Sequence, residues 1–307
     1  MRALHYDEFG GIEKFTIGEL PDPHVGPDTM LVKVVAAGIN PVDYKLREGY
    51  LNGLIDTIFP IVPGWDVAGV VVRPGLDTPE YGVGAEVLAY ARADVVHGGT
   101  IAELAPVPVR TATRKPPSVS FEEAAALPLA GLTALQSVRR SGLKAGDTVL
   151  VHAAAGGVGA FATQLAVLAG ARVIGTASPA NHDFVRSLGA EPVSYGPDLV
   201  SAAKALVPGG FDVVLDYVGG AAMDATRDLV KPGASVVSIT DGRAASEFGG
   251  QAIWVRPSSE DLAELVGLVA DGKLTVTIAE VFDLDHAVDA YRLLEAGHTR
   301  GKIVVRM

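Results

Sequence analysis

The sharpest chemical signal is the run Val149-Leu150-Val151-His152-Ala153-Ala154-Ala155-Gly156-Gly157-Val158-Gly159, in which an apolar strand enters a glycine turn and then a helix. Such a turn aims backbone N–H groups and the positive end of a helix dipole at one point, which is what a pyrophosphate requires. Gly156 lets the backbone approach the phosphates, and Gly159 permits tight packing of helix on strand. Ala155, Gly157 and Val158 complete the binding turn. Ala154 stands where the G-x-G-x-x-G pattern has its first glycine, so the strand–turn–helix context carries the assignment. A glycine-rich turn without a ligand is the competing interpretation.

The end of the next strand distinguishes between dinucleotides. A site for the unphosphorylated ribose usually has Asp or Glu about 20 residues after the glycine turn. Here that stretch is Gly175-Thr176-Ala177-Ser178, and Asp183 falls within the following helix. A carboxylate about 4 Å from a phosphate charge would cost roughly 4 kcal/mol at an effective dielectric near 20, close to a thousandfold in binding. Its absence permits NADPH and makes NADH the less expected cofactor. Ser178 is the candidate contact to a 2′-phosphate and reads equally well as a helix cap.

Several chemistries are excluded or disfavoured. The chain has no cysteine, so disulfides, thiolate nucleophiles and cysteine-ligated zinc are ruled out. None of its seven histidines forms an H-E-x-x-H pair. A net charge of −11 disfavours nucleic acid or an anionic membrane as partner. No apolar run approaches the roughly 18 residues of a membrane span, and no signal-peptide pattern follows Met1, so a cytoplasmic protein is expected.

The elements that must position these residues follow from periodicity. At 307 residues two domains are expected. The first hundred residues read as short strands between turns: Met30 to Ala37, Val67 to Val72, Ala85 to Tyr90 and Ile101 to Val107. Ser120-Phe121-Glu122-Glu123 is a capping box, and from there strands and helices alternate. Strands are predicted at Thr148 to His152, Arg172 to Thr176, Phe211 to Asp216 and Ala234 to Ile239, with helices from Val158 and from Ser178-Pro179. This alternation implies a doubly wound parallel sheet and an α/β fold. Ala234 to Ile239 is read as an edge strand able to pair with its copy. After a helix capped by Ser258, the pattern of strand (Leu274 to Ile278), helix (Leu284 to Leu294) and strand (Ile303 to Arg306) returns to the first domain. The expected division is 1–119 with 275–307 against 120–274.

Five further segments complete the picture. They are Ala37-Gly38-Ile39-Asn40-Pro41-Val42-Asp43-Tyr44-Lys45, Val62-Pro63-Gly64-Trp65-Asp66-Val67-Ala68-Gly69, Leu127-Pro128-Leu129-Ala130-Gly131-Leu132-Thr133-Ala134, Asp216-Tyr217-Val218-Gly219-Gly220 and Gly301-Lys302-Ile303-Val304. Together with the glycine turn, and in this order, they resemble the zinc-independent quinone and enone oxidoreductases of the medium-chain dehydrogenase/reductase superfamily. The resemblance implies a GroES-like, mostly β domain built from both chain ends, with a Rossmann domain inserted. Zinc-dependent members carry Gly-His-Glu where this chain has Gly64-Trp65-Asp66, so no zinc is expected.

The resemblance also implies roles. Asn40 would orient cofactor or carbonyl, Asp43 would fix its loop, and the stretch from Asn40 to Arg47 would face the nicotinamide. Position 45 is commonly Tyr in quinone reductases and Lys in reductases of reactive enones; Lys45 could stabilise an enolate oxygen or hold the nicotinamide ribose, and otherwise reads as a solvated surface lysine. Tyr44 and Tyr50 are candidate proton donors or pocket-lining residues. Thr133 would lie near the nicotinamide and Val218 and Ile239 at the ends of later strands, while Tyr195 reads equally as a residue stacking by the adenine or as a core tyrosine. Relatives often place a lysine where this chain has Asn181-His182, so either the phosphate grip is weaker here or Arg186 substitutes. His97 reads as a surface loop residue and Gly242 to Gly250 as a flap.

Without a metal the acceptor must already be electrophilic, as a quinone or an α,β-unsaturated carbonyl is. Alternatives are an enoyl reductase acting on carrier-bound or thioester substrates, and a non-catalytic NADPH-binding sensor. A homodimer is implied by the resemblance.

Overall fold

The computed structural model describes all residues, Met1–Met307. The chain divides into two compact units, Met1–Leu132 with Pro257–Met307, and Thr133–Arg256.

The first unit is built on a seven-stranded sheet whose central strand is Thr29–Ile39. Nearly every residue of that strand from Met30 to Ile39 is buried or half-buried, with Lys33 the exposed exception, as suits a strand covered on both faces. It pairs antiparallel with Asp66–Arg73, with Leu104–Pro108 and with Lys302–Arg306 from the far end of the chain. The registers place Gly38 opposite Asp66 and Ile39 opposite Ile303. Three segments distant in sequence therefore reach the same end of the sheet, where Asn40 leaves it.

The packing division differs from the expected one. The helix Phe121–Ala126 buries Ala124, Ala125 and Ala126 against Thr29–Ile39 and Asp66–Arg73, so it belongs to the first unit. The helix Ser259–Ala270 likewise packs on Ala112–Arg114. The strand expected at Leu274 to Ile278 lies instead at Ile278–Asp283, which pairs with Lys302–Arg306. Leu274 and Val276 are buried without joining a ladder, whereas the true edge strand is largely solvated and so lacks an apolar alternation.

The second unit is a six-stranded, all-parallel sheet. Its spatial order is Glu191–Ser194, Arg172–Ala177, Thr148–Val151, Phe211–Asp216, Val230–Ser238 and Gln251–Ala252. In chain order this is 3-2-1-4-5-6, the doubly wound arrangement whose order reverses beside the first strand. Leu150, Ile174, Val193, Phe211, Val214 and Val236 form its buried core. Val230–Ser238 is not an edge strand, because Gln251–Ala252 pairs with it through Val237 and Ser238. The segment expected as a flap contains a one-turn helix, Arg243–Ser246, with Ala244 fully buried.

Candidate active site

The first unit gathers a buried polar cluster at the end of its central strand. Asn40 is the N-cap of the helix Pro41–Arg47, whose first turn is set by Pro41 and closed by Asp43. The Asn40 backbone N–H donates to Asp43 Oδ2 at 2.8 Å, and Tyr291 donates its hydroxyl to the same oxygen at 3.2 Å. The Asn40 carboxamide donates from Nδ2 to Asp66 Oδ2 at 2.9 Å and accepts at Oδ1 from Lys302 Nζ. Lys302 also donates to the Ile39 carbonyl at 2.9 Å, and Asp66 Oδ1 accepts from the Leu129 N–H at 2.8 Å. Asn40, Asp43, Asp66, Tyr291 and Lys302 are all buried.

Two carboxylates share this volume with one ammonium group. Burial pushes the Asp43 carboxyl up to about 7, aided by the nearby Asp66 charge. Burial raises Asp66 to about 6 against the opposing pull of Lys302, and burial lowers Lys302. Asp43 Oδ1 has no hydrogen-bond partner, so an amide at this position loses no bond there. Because the folded-state pKa of Asp43 is raised, the folded protein holds that proton more tightly than the unfolded chain does. Its contribution to stability is present below about pH 4 and is lost as pH rises towards 7. Asp43→Asn is therefore expected to flatten the decline of Tm between pH 5 and pH 8, measured by thermal melts of both proteins. Parallel Tm profiles would show that Asp43 does not titrate in this range.

The remaining residues predicted around Asn40 occupy different settings. Lys45 is exposed on the Pro41–Arg47 helix, Tyr44 is half-buried and Tyr50 is largely exposed. Burial raises the Tyr44 phenol above its ordinary value, with Glu48 and Glu295 adding to it. Arg47 is fully buried, donating to the Gly10 carbonyl and pairing with Glu48 and Glu295, and thus anchors the helix. His97 is exposed and lies 2.8 Å from the Ile58 carbonyl through Nδ1.

In the second unit the glycine turn joins Thr148–Val151 to the helix Gly157–Leu168, with Gly156 as its extended N-cap. Ala153 sits at φ 56°. The turn is pinned to the neighbouring strand, since the Ala153 and Ala154 N–H groups donate to the Thr176 hydroxyl and carbonyl, each at 3.0 Å. A Cβ on Gly159 would lie 2.0 Å from the Ala153 carbonyl oxygen, so this glycine is required by backbone packing. The alanine at 154 has its own accommodation. A Cβ on Gly175 would come within 2.6 Å of the Ala154 methyl, so the glycine missing at 154 is supplied on the adjacent strand.

This edge fits a dinucleotide. The first N–H groups of the helix lack intrahelical partners, and its first turn carries no acid. Ala155 is buried, while Gly156, Gly157 and Val158 are half-buried. Ser178 is half-buried and makes no side-chain cap bond; its hydroxyl accepts from Asn181 Nδ2 at 3.3 Å. Arg186 is exposed and pairs with Asp183, one helical turn before it, at 2.6 Å. Tyr195 and Val218 are exposed just beyond the third and fourth strands, and Ile239 is half-buried after the fifth. Thr133 is buried in the helix Pro128–Arg140. Asp216 shapes the turn that presents Val218, accepting from the Val218 and Gly219 N–H groups and from Ser238 Oγ.

Known proteins share this fold. Residues 26–117 match the alcohol dehydrogenase GroES-like domain, and residues 188–305 match a domain described as zinc-binding dehydrogenase. The chain is 34% identical to the chloroplast envelope quinone oxidoreductase homolog of Arabidopsis thaliana, over 99% of this chain and 98% of that protein. The chain belongs to the quinone and enone oxidoreductase family of the medium-chain dehydrogenase/reductase superfamily. It is also 34% identical to the chloroplastic NADPH-dependent alkenal/one oxidoreductase of Arabidopsis thaliana, over 99% of this chain and 79% of that one. The quinone oxidoreductase of Coxiella burnetii superposes with a TM-score of 0.91 at 36% identity, covering 100% of this chain and 99% of the other. As a member of this family the protein is an oxidoreductase with a nicotinamide cofactor. No three His, Asp or Glu side chains gather where they could hold a metal ion, and no helix is long and apolar enough to cross a membrane.

Sequence reasoning named Asn40 and Asp43 but not Asp66, Lys302 or Tyr291 as parts of the site. Asp66 and Lys302 stand inside two of the quoted family segments. A charged residue in an otherwise apolar strand-like run was the available signal for both.

Proposed function

We propose that this oxidoreductase reduces quinones or α,β-unsaturated carbonyl compounds at the expense of NADPH, without a metal. The observation that supports this best is the buried cluster at Asn40, an oriented amide donor with no metal-ligand set beside it. Bound NADPH supplies a hydride from the nicotinamide C4.

In this proposal the glycine turn and helix Gly157–Leu168 hold the pyrophosphate, Ser178 the 2′-phosphate, Tyr195 the adenine, and Thr133, Val218 and Ile239 the nicotinamide end. Asn40 donates to the carbonyl oxygen on which negative charge develops, a contribution of about 3 kcal/mol for one such donor. Lys45 adds a mobile cation for the same charge. One proton from water then completes the reduction of the enolate or hydroquinone anion. The absence of an acid after Arg172–Ala177 supports NADPH over NADH.

Oxidation of NADPH and NADH by the purified protein, with a quinone and a short enone in parallel, tests this. The expected result is turnover of at least one acceptor with NADPH preferred. Lys45→Ala is expected to lower kcat/KM for the enone about tenfold, the ~1.4 kcal/mol of one charge-assisted hydrogen bond. No turnover of either acceptor would overturn the proposal.

A further inference from the structure

We infer that Asp66 and Lys302 are positioning residues that lock the Asn40 carboxamide in one orientation, so that its second N–H is a fixed donor to the acceptor. The inference rests on the proposed reduction, in which Asn40 meets the reacting oxygen.

An asparagine amide is nearly symmetric in shape but opposite in polarity at its two ends. Its orientation is set by whichever neighbours can only donate or only accept. Lys302 is such a neighbour, because an ammonium has three donors and no acceptor, and it meets Oδ1. An ionised Asp66 is the converse, accepting only, and it takes one Nδ2 hydrogen at 2.9 Å. A flipped amide would face an N–H towards an ammonium and an oxygen towards a carboxylate, and both contacts would repel.

Both partners are themselves held in place. Lys302 is fixed by the Ile39 carbonyl and Asp66 by the Leu129 N–H, and the two charged groups are 4.0 Å apart. Nδ2 carries two hydrogens, and Asp66 takes one. The other is left in a defined direction.

A purely structural role does not require this choice of residues. A buried ion pair is often no more stabilising than an apolar pair of the same volume. An apolar pair, however, would leave the amide free to rotate.

The test is a double-mutant cycle on the full-length protein, combining Asp66→Asn with Asn40→Ala. The carboxamide that Asp66→Asn introduces can donate as well as accept, so it no longer distinguishes the two ends of the Asn40 amide. Asp66→Asn alone is expected to lower kcat roughly 10- to 100-fold with acceptor KM changed less than about threefold. In the Asn40→Ala background the same change is expected to have almost no further effect. NADPH binding, followed by fluorescence titration, is expected to be unchanged in all variants.

Lys302→Met and Lys302→Arg form a second arm, which carries the test if Asp66→Asn does not fold. The methionine is expected to reproduce the loss in kcat, and the arginine, still a pure donor, to restore much of it. Additive effects of positions 40 and 66, or equal kcat for Lys302→Met and Lys302→Arg, would overturn the inference. An inactive wild-type protein would instead overturn the proposed function, so the two failures are distinguishable.

Discussion

Gly159→Ala is expected to weaken NADPH binding at least a hundredfold and to destabilise the protein by about 1–3 kcal/mol, the usual range for overpacking. The added Cβ would lie 2.0 Å from the Ala153 carbonyl oxygen, 2.7 Å from the Ala153 carbonyl carbon and 2.9 Å from the Ala154 Cα. All three are backbone atoms, so no side-chain rotation relieves the clash. The turn has little freedom to retreat, because Ala153 is at φ 56° and two hydrogen bonds tie it to Thr176. Relief must come from shifting the start of the Gly157–Leu168 helix. A shift of about 1 Å takes its N–H groups out of the 2.7–3.2 Å range of a hydrogen bond.

Gly156→Ala separates the two consequences. The nearest atom to its added Cβ would be the Ala153 carbonyl oxygen at 3.3 Å, so a few tenths of an ångström of adjustment suffices where Gly159→Ala needs far more. Its expected effect is a loss of affinity with a much smaller fall in Tm than Gly159→Ala, since the methyl occupies the approach to the phosphates. Fluorescence titration and thermal melts of both variants provide the check. Undiminished NADPH affinity in Gly159→Ala would show that this turn does not bind the cofactor.

Ser178→Asp is expected to lower NADPH affinity close to a thousandfold while changing NADH affinity only a few-fold. The size of the loss is the repulsion of about 4 kcal/mol between two charges about 4 Å apart at an effective dielectric near 20. Position 178 follows directly on the Arg172–Ala177 strand, and its side chain is half-buried with no capping bond to the backbone to maintain. Only the hydrogen bond from Asn181 would be altered in the folded protein. Ser178→Ala, which removes the hydroxyl without adding charge, is expected to cost NADPH about tenfold or less. Titrations at two salt concentrations should show the aspartate effect shrinking as salt rises. Equal losses for NADPH and NADH would remove Ser178 from the phosphate site.

What could be read in the sequence was local. The Ser120 and Ser258 caps form as expected, because a cap depends on residues three positions apart. The glycine turn was legible because strand, turn and helix are consecutive. Its substituted position was not, since the Gly175 that makes room for Ala154 belongs to another strand. The edge strand Ile278–Asp283 lies a few residues beyond the predicted run because none of its residues is fully buried, so no apolar alternation marks it. The helices Phe121–Ala126 and Ser259–Ala270 pack on strands of the seven-stranded sheet, which the sequence does not reveal, because an apolar helix face shows that it is buried, not against which sheet.

The sequence by itself carried two candidate chemistries: a glycine turn suited to a phosphate with no acid after the next strand, and a polar motif from Asn40 to Lys45 that directly follows an apolar strand. Tertiary structure alone decided that Asn40 has charged neighbours on both sides of its amide. Asp66 and Lys302 arrive there through the registers Gly38 to Asp66 and Ile39 to Ile303. Register is a property of paired strands, set by burial on both faces of the sheet, and no window of contiguous residues contains it.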